Sequence, residues 1–177
     1  MSNPTVCIRT NYGAITAELY PDKAPMTVAN FLQYVKKGFY DNTLFHRTIP
    51  NFMIQGGGLE RGMYLKATDE PIQNEAANGL KNKKFTLAMA RLPAPHSASS
   101  QFFVNVADNN FLDYKAPTDE DFGYCVFGKV IGGAEVVATI SDVKTGERSG
   151  YGDVPELDVV IETVEISDSE GDNSGGQ

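Results

Sequence analysis

Two apolar, strand-like runs, Thr5–Thr10 and Ala14–Tyr20, open the chain, and Asn11-Tyr12-Gly13 between them is a hairpin turn signal. A helical period follows. Val28, Phe31, Leu32 and Val35 fall at i, i+3, i+4 and i+7, with Pro25 suited to a first helical turn. Lys36 and Lys37 complement the negative end of a helix, and Gly38 can take the left-handed backbone that ends one. This predicts a core-facing helix of about three turns. Further strands are expected at Leu44–Ile49, Phe52–Gln55, Phe85–Ala90, Gln101–Val106, Cys125–Val130 and Val159–Ile166. A second helix is expected within Gly133–Val143, where Val136, Val137, Ile140 and Val143 share a face. Strands separated by turns, with two helices, point to an all-β sandwich or barrel with helices attached, and periodicity does not choose between them. Gly58–Ala77, Arg91–Ser99, Asp108–Gly123 and Thr145–Glu156 read as surface loops. There is no internal repeat and no domain linker.

Composition narrows the class. A chain of 177 residues with 41% hydrophobic and 21% charged residues reads as one soluble globular domain with a sizeable core. No apolar run reaches the length of a membrane span. Met1-Ser2-Asn3-Pro4-Thr5 carries neither a basic region nor an apolar core, so no secretory signal is visible and a cytoplasmic location is expected. A net charge of −8 argues against nucleic acid or an anionic membrane as a partner. The Ser/Gly/Asp-rich stretch 167–177, with no apolar residue after Ile166, is expected to be an acidic, disordered tail beyond a folded domain of residues 1–166. Cys7 and Cys125 sit in apolar runs and read as buried free thiols; a single disulfide between them is the alternative, which a core this large does not need.

The chemistry gathers around Phe45-His46-Arg47 and Phe52-Met53-Ile54-Gln55-Gly56-Gly57-Gly58. Read as extended chain, Phe52, Ile54 and Gly56 face one way and Met53, Gln55 and Gly57 the other. An apolar wall with one guanidinium and one amide suits an apolar ligand held by a carbonyl oxygen. It holds no nucleophile, no acid–base pair and no metal cluster, which fits a reaction that breaks no covalent bond. Several other readings are weak. His96-Ser97 has no acid partner at a recognisable spacing and no nucleophile elbow. Two histidines and two separated cysteines make no zinc pattern, so neither a metal nor a cofactor is expected. Gly56-Gly57-Gly58 lacks the Lys-Ser/Thr of a phosphate loop and reads as a strand end where backbones approach closely. Lys81, Lys83 and Lys84 read as a solvated turn.

These motifs, with Ser100-Gln101-Phe102-Phe103, Leu87-Ala88-Met89-Ala90-Arg91 and Val126-Phe127-Gly128-Lys129-Val130 in order after them, resemble the cyclophilins, the cyclosporin-inhibited peptidyl-prolyl cis-trans isomerases. The similarity runs from about Thr5 to Ile166. It is strongest to small bacterial cytoplasmic members, through Ala88–Arg91, Ala94–Ala98 and Gly123–Phe127. The resemblance implies a closed eight-stranded antiparallel β-barrel capped by two α-helices, its interior filled by side chains and its ligand bound outside. It implies Arg47 and Gln55 as the catalytic pair. Phe52, Met53, Phe103 and Leu112 would form the proline pocket, with Ala90 and Gln101 at the residues preceding proline. Substrates would be proline-containing peptides and unfolded or flexible segments, and the protein a monomer assisting folding.

This chain departs from the family pattern at three positions. Phe111 stands where cyclosporin-sensitive members carry tryptophan, so cyclosporin binding is expected to be weak. Tyr124 replaces a site histidine and would still line the pocket. Arg91 replaces an asparagine, and its longer cation bears on the preference before proline. Two other functions stay in view. A proline-peptide binding module would not need to keep Arg47. A ligand-carrying barrel would need a hollow interior, which the sequence does not establish.

Overall fold

The computed structural model describes residues 3–167, so the expected tail from residue 168 onward lies outside the described residues. Thirteen strands and two helices follow the chain order β1 (Thr5–Thr10), β2 (Gly13–Leu19), α1 (Pro25–Lys36), β3 (Thr43–Leu44), β4 (Arg47–Ile49), β5 (Met53–Gly56), β6 (Leu59–Glu60), β7 (Tyr64–Leu65), β8 (Thr86–Met89), β9 (Phe102–Asn105), β10 (Val126–Gly132), α2 (Ala134–Ser141), β11 (Thr145–Arg148), β12 (Tyr151–Pro155) and β13 (Val160–Ser167). Eleven strands form one sheet in the order β4-β5-β9-β8-β10-β2-β1-β13-β3-β6-β7, and β11 and β12 form a separate hairpin. The pairings are antiparallel. The mainly β, two-helix expectation holds, but the detail differs: the sheet is a curled run of short segments with β4 and β7 at its ends. Among the described residues no pairing joins those ends into an eight-stranded ring.

Most expected elements appear within a residue or two. Leu44–Ile49 does not form one strand, because the chain changes partners within it. β3 pairs with β13 and β4 with β5, while Phe45 between them turns its ring into the core. The β6–β7 and β11–β12 pairs fall inside segments read as loops. Two-residue strands and the polar runs Thr145–Arg148 and Tyr151–Pro155 carry no alternation to read; their neighbours supply the pairing.

Helix α1 shows how distant residues complete a local signal. Ala24 at its N-cap offers no side-chain acceptor. The Glu75 carboxylate supplies it instead, accepting from Met26 N, Thr27 N and Thr27 Oγ1 at 3.2, 2.8 and 2.7 Å. At the other end Gly38 takes φ +70°, Gly38 N donates to Val35 O and Phe39 N to Tyr34 O, a Schellman closure. The buried face carries Val28, Phe31, Tyr34 and Val35. Phe31 packs against Tyr40, Phe102 and Phe127 with ring centroids 5.2–5.4 Å apart. Both cysteines are free and buried.

Strand register then sorts residues to two faces. Ile54 lies beside Val104, and Val104 beside Leu87; all three enter the main core with Phe102 and Met89. The alternate positions Met53, Phe103 and Ala88 turn outward and cluster with Ala90, Leu112 and Val126. Because the side-chain period is two, turning one set into the main core commits the other to the opposite face of the sheet, where it forms a second buried cluster. Phe52 precedes β5 in a turn and packs with Met53 on this outer side, not with Ile54 as simple alternation predicted.

Candidate active site

The outward set lines a cavity of about 170 Å³ walled by Arg47, Phe52, Met53, Gln55, Ala90, Arg91, Phe103, Leu112 and Tyr124. Each of these was singled out from the sequence. Arg47 and Gln55 are cross-strand partners on β4 and β5, and Gln55 is opposite Phe103 on β9. One cross-strand row, Arg47–Gln55–Phe103, therefore spans three strands, polar on β4 and β5 and apolar on β9. Arg47 Nη1 is 3.5 Å from Gln55 Oε1, and Gln55 Nε2 donates to Gln101 Oε1 at 3.0 Å. Gln101 itself lines an adjoining cavity of about 270 Å³, which shares Gln55, Ala90 and Arg91 with the first. Among the described residues Arg47 has no carboxylate partner. Its guanidinium lies 6.0 Å from the Phe52 ring centroid, half-buried at the edge of the apolar cavity. A cation held by an amide and a ring face, with its fork of N–H groups, can donate to a ligand.

Phe111 does not line this cavity. It is 66% exposed on the rim and stacks on Phe52 at 5.7 Å and 28°. Tyr124 meets Phe103 edge-on at 5.8 Å. Arg91 lies over the Tyr124 ring at 4.4 Å, with Nε donating to Gly123 O at 3.1 Å and Nη1 to Leu92 O and Pro93 O at 2.9 and 3.2 Å. The substitutions at positions 91 and 124 thus form one unit. The Arg91 cation is taken up by three carbonyls and a ring, and it ties the loop after Ala90 to the loop before Cys125.

Beneath the cavity is a polar support that sequence reasoning missed. Asn82 Nδ2 donates to Leu112 O, Asp113 Oδ1 and Tyr124 O at 3.1–3.3 Å. Asn105 Nδ2 donates to Asn82 Oδ1 and Thr86 Oγ1, and Asn109 Nδ2 to Phe52 O and Asn105 Oδ1. Asn82 and Asn105 are fully buried. The one available signal was an asparagine closing the apolar strand Phe102-Phe103-Val104-Asn105, since buried amides need partners.

His46 is not part of the cavity lining. It is buried against Tyr151, its Nδ1 without a partner among the described residues. Burial, and secondarily the Arg47 charge, push its pKa down to about 4. The ordinary value is about 6.5, so the unfolded chain binds this proton more readily than the folded one. The neutral ring's contribution to stability is complete above about pH 6.5 and is lost as pH falls from there through about 4. Urea midpoints should therefore drop between pH 7 and pH 4.5, and a folded His46→Gln protein should lose part of that slope. An unchanged slope would remove His46 from the account.

Comparison with known proteins agrees with the geometry. Residues 5–166 match the family described as cyclophilin type peptidyl-prolyl cis-trans isomerase/CLD. Peptidyl-prolyl cis-trans isomerase B of Escherichia coli K12 is 55% identical over 92% of this chain and 99% of its own length. Peptidyl-prolyl cis-trans isomerase cyp18 of Streptomyces antibioticus is 53% identical over 92% and 98%. The crystal structure of a Cryptosporidium parvum cyclophilin type isomerase superposes with a TM-score of 0.77 at 27% identity, covering 94% of this chain and 99% of that one. The same protein in the presence of the dipeptide Ala-Pro gives 0.76, also at 27% identity, over 93% and 99%. With an antiparallel sheet that turns Arg47, Gln55 and a Phe/Met pocket to its outer face, this chain belongs to the cyclophilin-type peptidyl-prolyl cis-trans isomerases.

Proposed function

We propose that the 170 Å³ cavity is where this chain rotates Xaa-Pro bonds, with Arg47 and Gln55 as the polar machinery and Phe52, Met53, Phe103 and Leu112 gripping the proline ring. The observation that carries this reading is the row Arg47–Gln55–Gln101 at the edge of an apolar, aromatic-walled cavity. Resonance gives the Xaa-Pro bond a rotation barrier of roughly 18–20 kcal/mol. A donor on the proline nitrogen draws its lone pair away from the carbonyl and weakens that resonance. Gripping the ring while Gln55 meets the substrate backbone favours the twisted amide over either planar form, and Gln101 binds the residues before proline alike in each form. The twisted amide has less charge separation, so a dry pocket helps it further. An acceleration of about 10⁵ needs about 7 kcal/mol of such differential stabilisation. No bond is made or broken.

The substrates on this reading are proline-containing peptides and exposed Xaa-Pro bonds of unfolded or flexible segments, where uncatalysed isomerisation takes about 10–100 s at 25 °C. The negative net charge favours protein over nucleic-acid or membrane partners. We assign residues 1–166 as the isomerase domain, acting as a monomer in the cytoplasm. The direct test is isomerisation of an Ala-Pro peptide at low temperature with the native protein. Acceleration supports the enzyme reading, and binding without acceleration would move it to a proline-peptide receptor.

Cyclosporin should bind weakly. Phe111 has no indole N–H, and its ring is already stacked on Phe52. A hundredfold rise in Kd corresponds to about 2.7 kcal/mol. Phe111→Trp should recover much of it with peptide turnover intact; submicromolar inhibition of the native protein would overturn this.

A further inference from the structure

Three glycines follow Gln55, and an added side chain would meet something different at each. At Gly56 a Cβ would fall 2.5 Å from Leu44 O and 2.9 Å from Phe45 Cα, so neighbouring backbone excludes it. Gly57 holds φ +91°, and a Cβ there would press on the Tyr40 and Phe102 rings at 2.9 and 3.0 Å. The fold accounts for both. It does not account for Gly58. The backbone there lies outside the left-handed range, so any residue could adopt it. The three atoms nearest an added Cβ all belong to one side chain, that of Gln101: Cγ and Nε2 at 2.5 Å and Cδ at 2.7 Å.

The Gln101 side chain thus lies against the Gly58 backbone, in space that any other residue at 58 would occupy. Its Oε1 in that position accepts the 3.0 Å bond from Gln55 Nε2, and Gln55 Oε1 in turn faces Arg47 Nη1. A glutamine is among the side chains that lose most freedom when fixed, and here it is fixed by one hydrogen bond and one bare backbone. We infer that Gly58 is a positioning residue of the isomerase site: its missing side chain lets Gln101 lie where it holds Gln55 and meets the substrate backbone before proline. This rests on the reading of the cavity as the isomerase site. Gly58→Ala leaves the strand geometry possible but forces Gln101 to swing away. Its effect falls on substrate binding more than on the chemical step, because Arg47 and the proline pocket stay in place.

The test is a double-mutant cycle of native protein, Gly58→Ala, Gln101→Ala and the double variant, assayed for isomerisation of an Ala-Pro peptide with kcat and KM separated. Gly58→Ala should raise KM about fivefold with kcat within about twofold, the scale of one lost hydrogen bond. Adding it to Gln101→Ala should change KM by less than about twofold, since the collision partner is gone. The Gln55 side-chain amide signal in an NMR spectrum should move in Gly58→Ala, and this readout needs no activity. An unchanged KM and an unmoved amide signal in Gly58→Ala would overturn the inference, as would an equal effect in both backgrounds. If Gly58→Ala fails to fold, a folded double variant supports the contact and an unfolded one overturns it. Native protein without turnover would defeat the site reading, while a moved Gln55 signal would still uphold the contact.

Discussion

Arg47→Ala should lower kcat/KM for an Ala-Pro peptide by about 10²–10³-fold, the usual cost of removing one preorganised donor from a dry site. Most of the loss should appear in kcat, because on the proposed mechanism the donor acts on the proline nitrogen as resonance weakens and does little for the planar ground state. The fold should barely notice. Arg47 is half-buried on the edge strand β4, with no carboxylate partner among the described residues. Its contacts are one long hydrogen bond to Gln55 and a ring face, so the melting temperature should stay within a few degrees. Arg47→Lys should recover only part of the activity, since an ammonium keeps the charge but loses the planar fork of donors. Turnover unchanged in a folded Arg47→Ala protein would leave the activity without this mechanism.

Asn82→Ala should act in the opposite order, on stability first. The side chain is fully buried and serves four partners: Leu112 O, Asp113 Oδ1, Tyr124 O and, as acceptor, Asn105 Nδ2. Alanine leaves those groups in place and removes what satisfies them, with an expected cost of about 2–4 kcal/mol. That should lower the melting temperature by roughly 5–15 °C for a domain of this size. Leu112 and Tyr124 are held by these bonds and line the cavity, so turnover should also fall below the melting range. Asn82→Asp should not rescue: it keeps an acceptor but removes the amide donors and buries a charge beside Asp113. A melting temperature within about 2 °C of native would show that water replaces the amide and that the network is not holding the loops.

Much of the site was legible before any coordinate. Met53 and Gln55 share a face of β5 by its period of two, the family resemblance pointed to Arg47, Phe52 and Phe103, and all five line the cavity, Phe52 from the turn before β5 and against simple alternation. Asn82 was hidden because asparagine in a Lys- and Asn-rich turn reads as solvated, and only Asp113, Leu112 and Tyr124 folding over it make it a hub. Gly58 was hidden for a related reason. In the sequence it is the third of three like residues, and what separates it from Gly56 and Gly57 is which distant side chain lies against it. Position 91 was legible as a departure, but not that its guanidinium would be taken up by the carbonyls of Leu92, Pro93 and Gly123.

By itself the sequence determined the mainly β class, helix α1 down to its Gly38 terminus, the two faces of β5 from Met53 onward, and the chemistry of an apolar pocket with one guanidinium. These follow from the side-chain period and from intrinsic backbone preference, both local properties. Tertiary structure alone decided the pairing order, the splitting of Leu44–Ile49 between two partners, the polar β11–β12 hairpin, the capping of α1 by Glu75 and the asparagine support beneath the pocket. The Glu75 cap, the asparagine support and most of the pairing order join groups tens of residues apart, the β11–β12 hairpin joins near but polar ones, and hydrogen-bond satisfaction between such groups leaves no periodic trace along the chain.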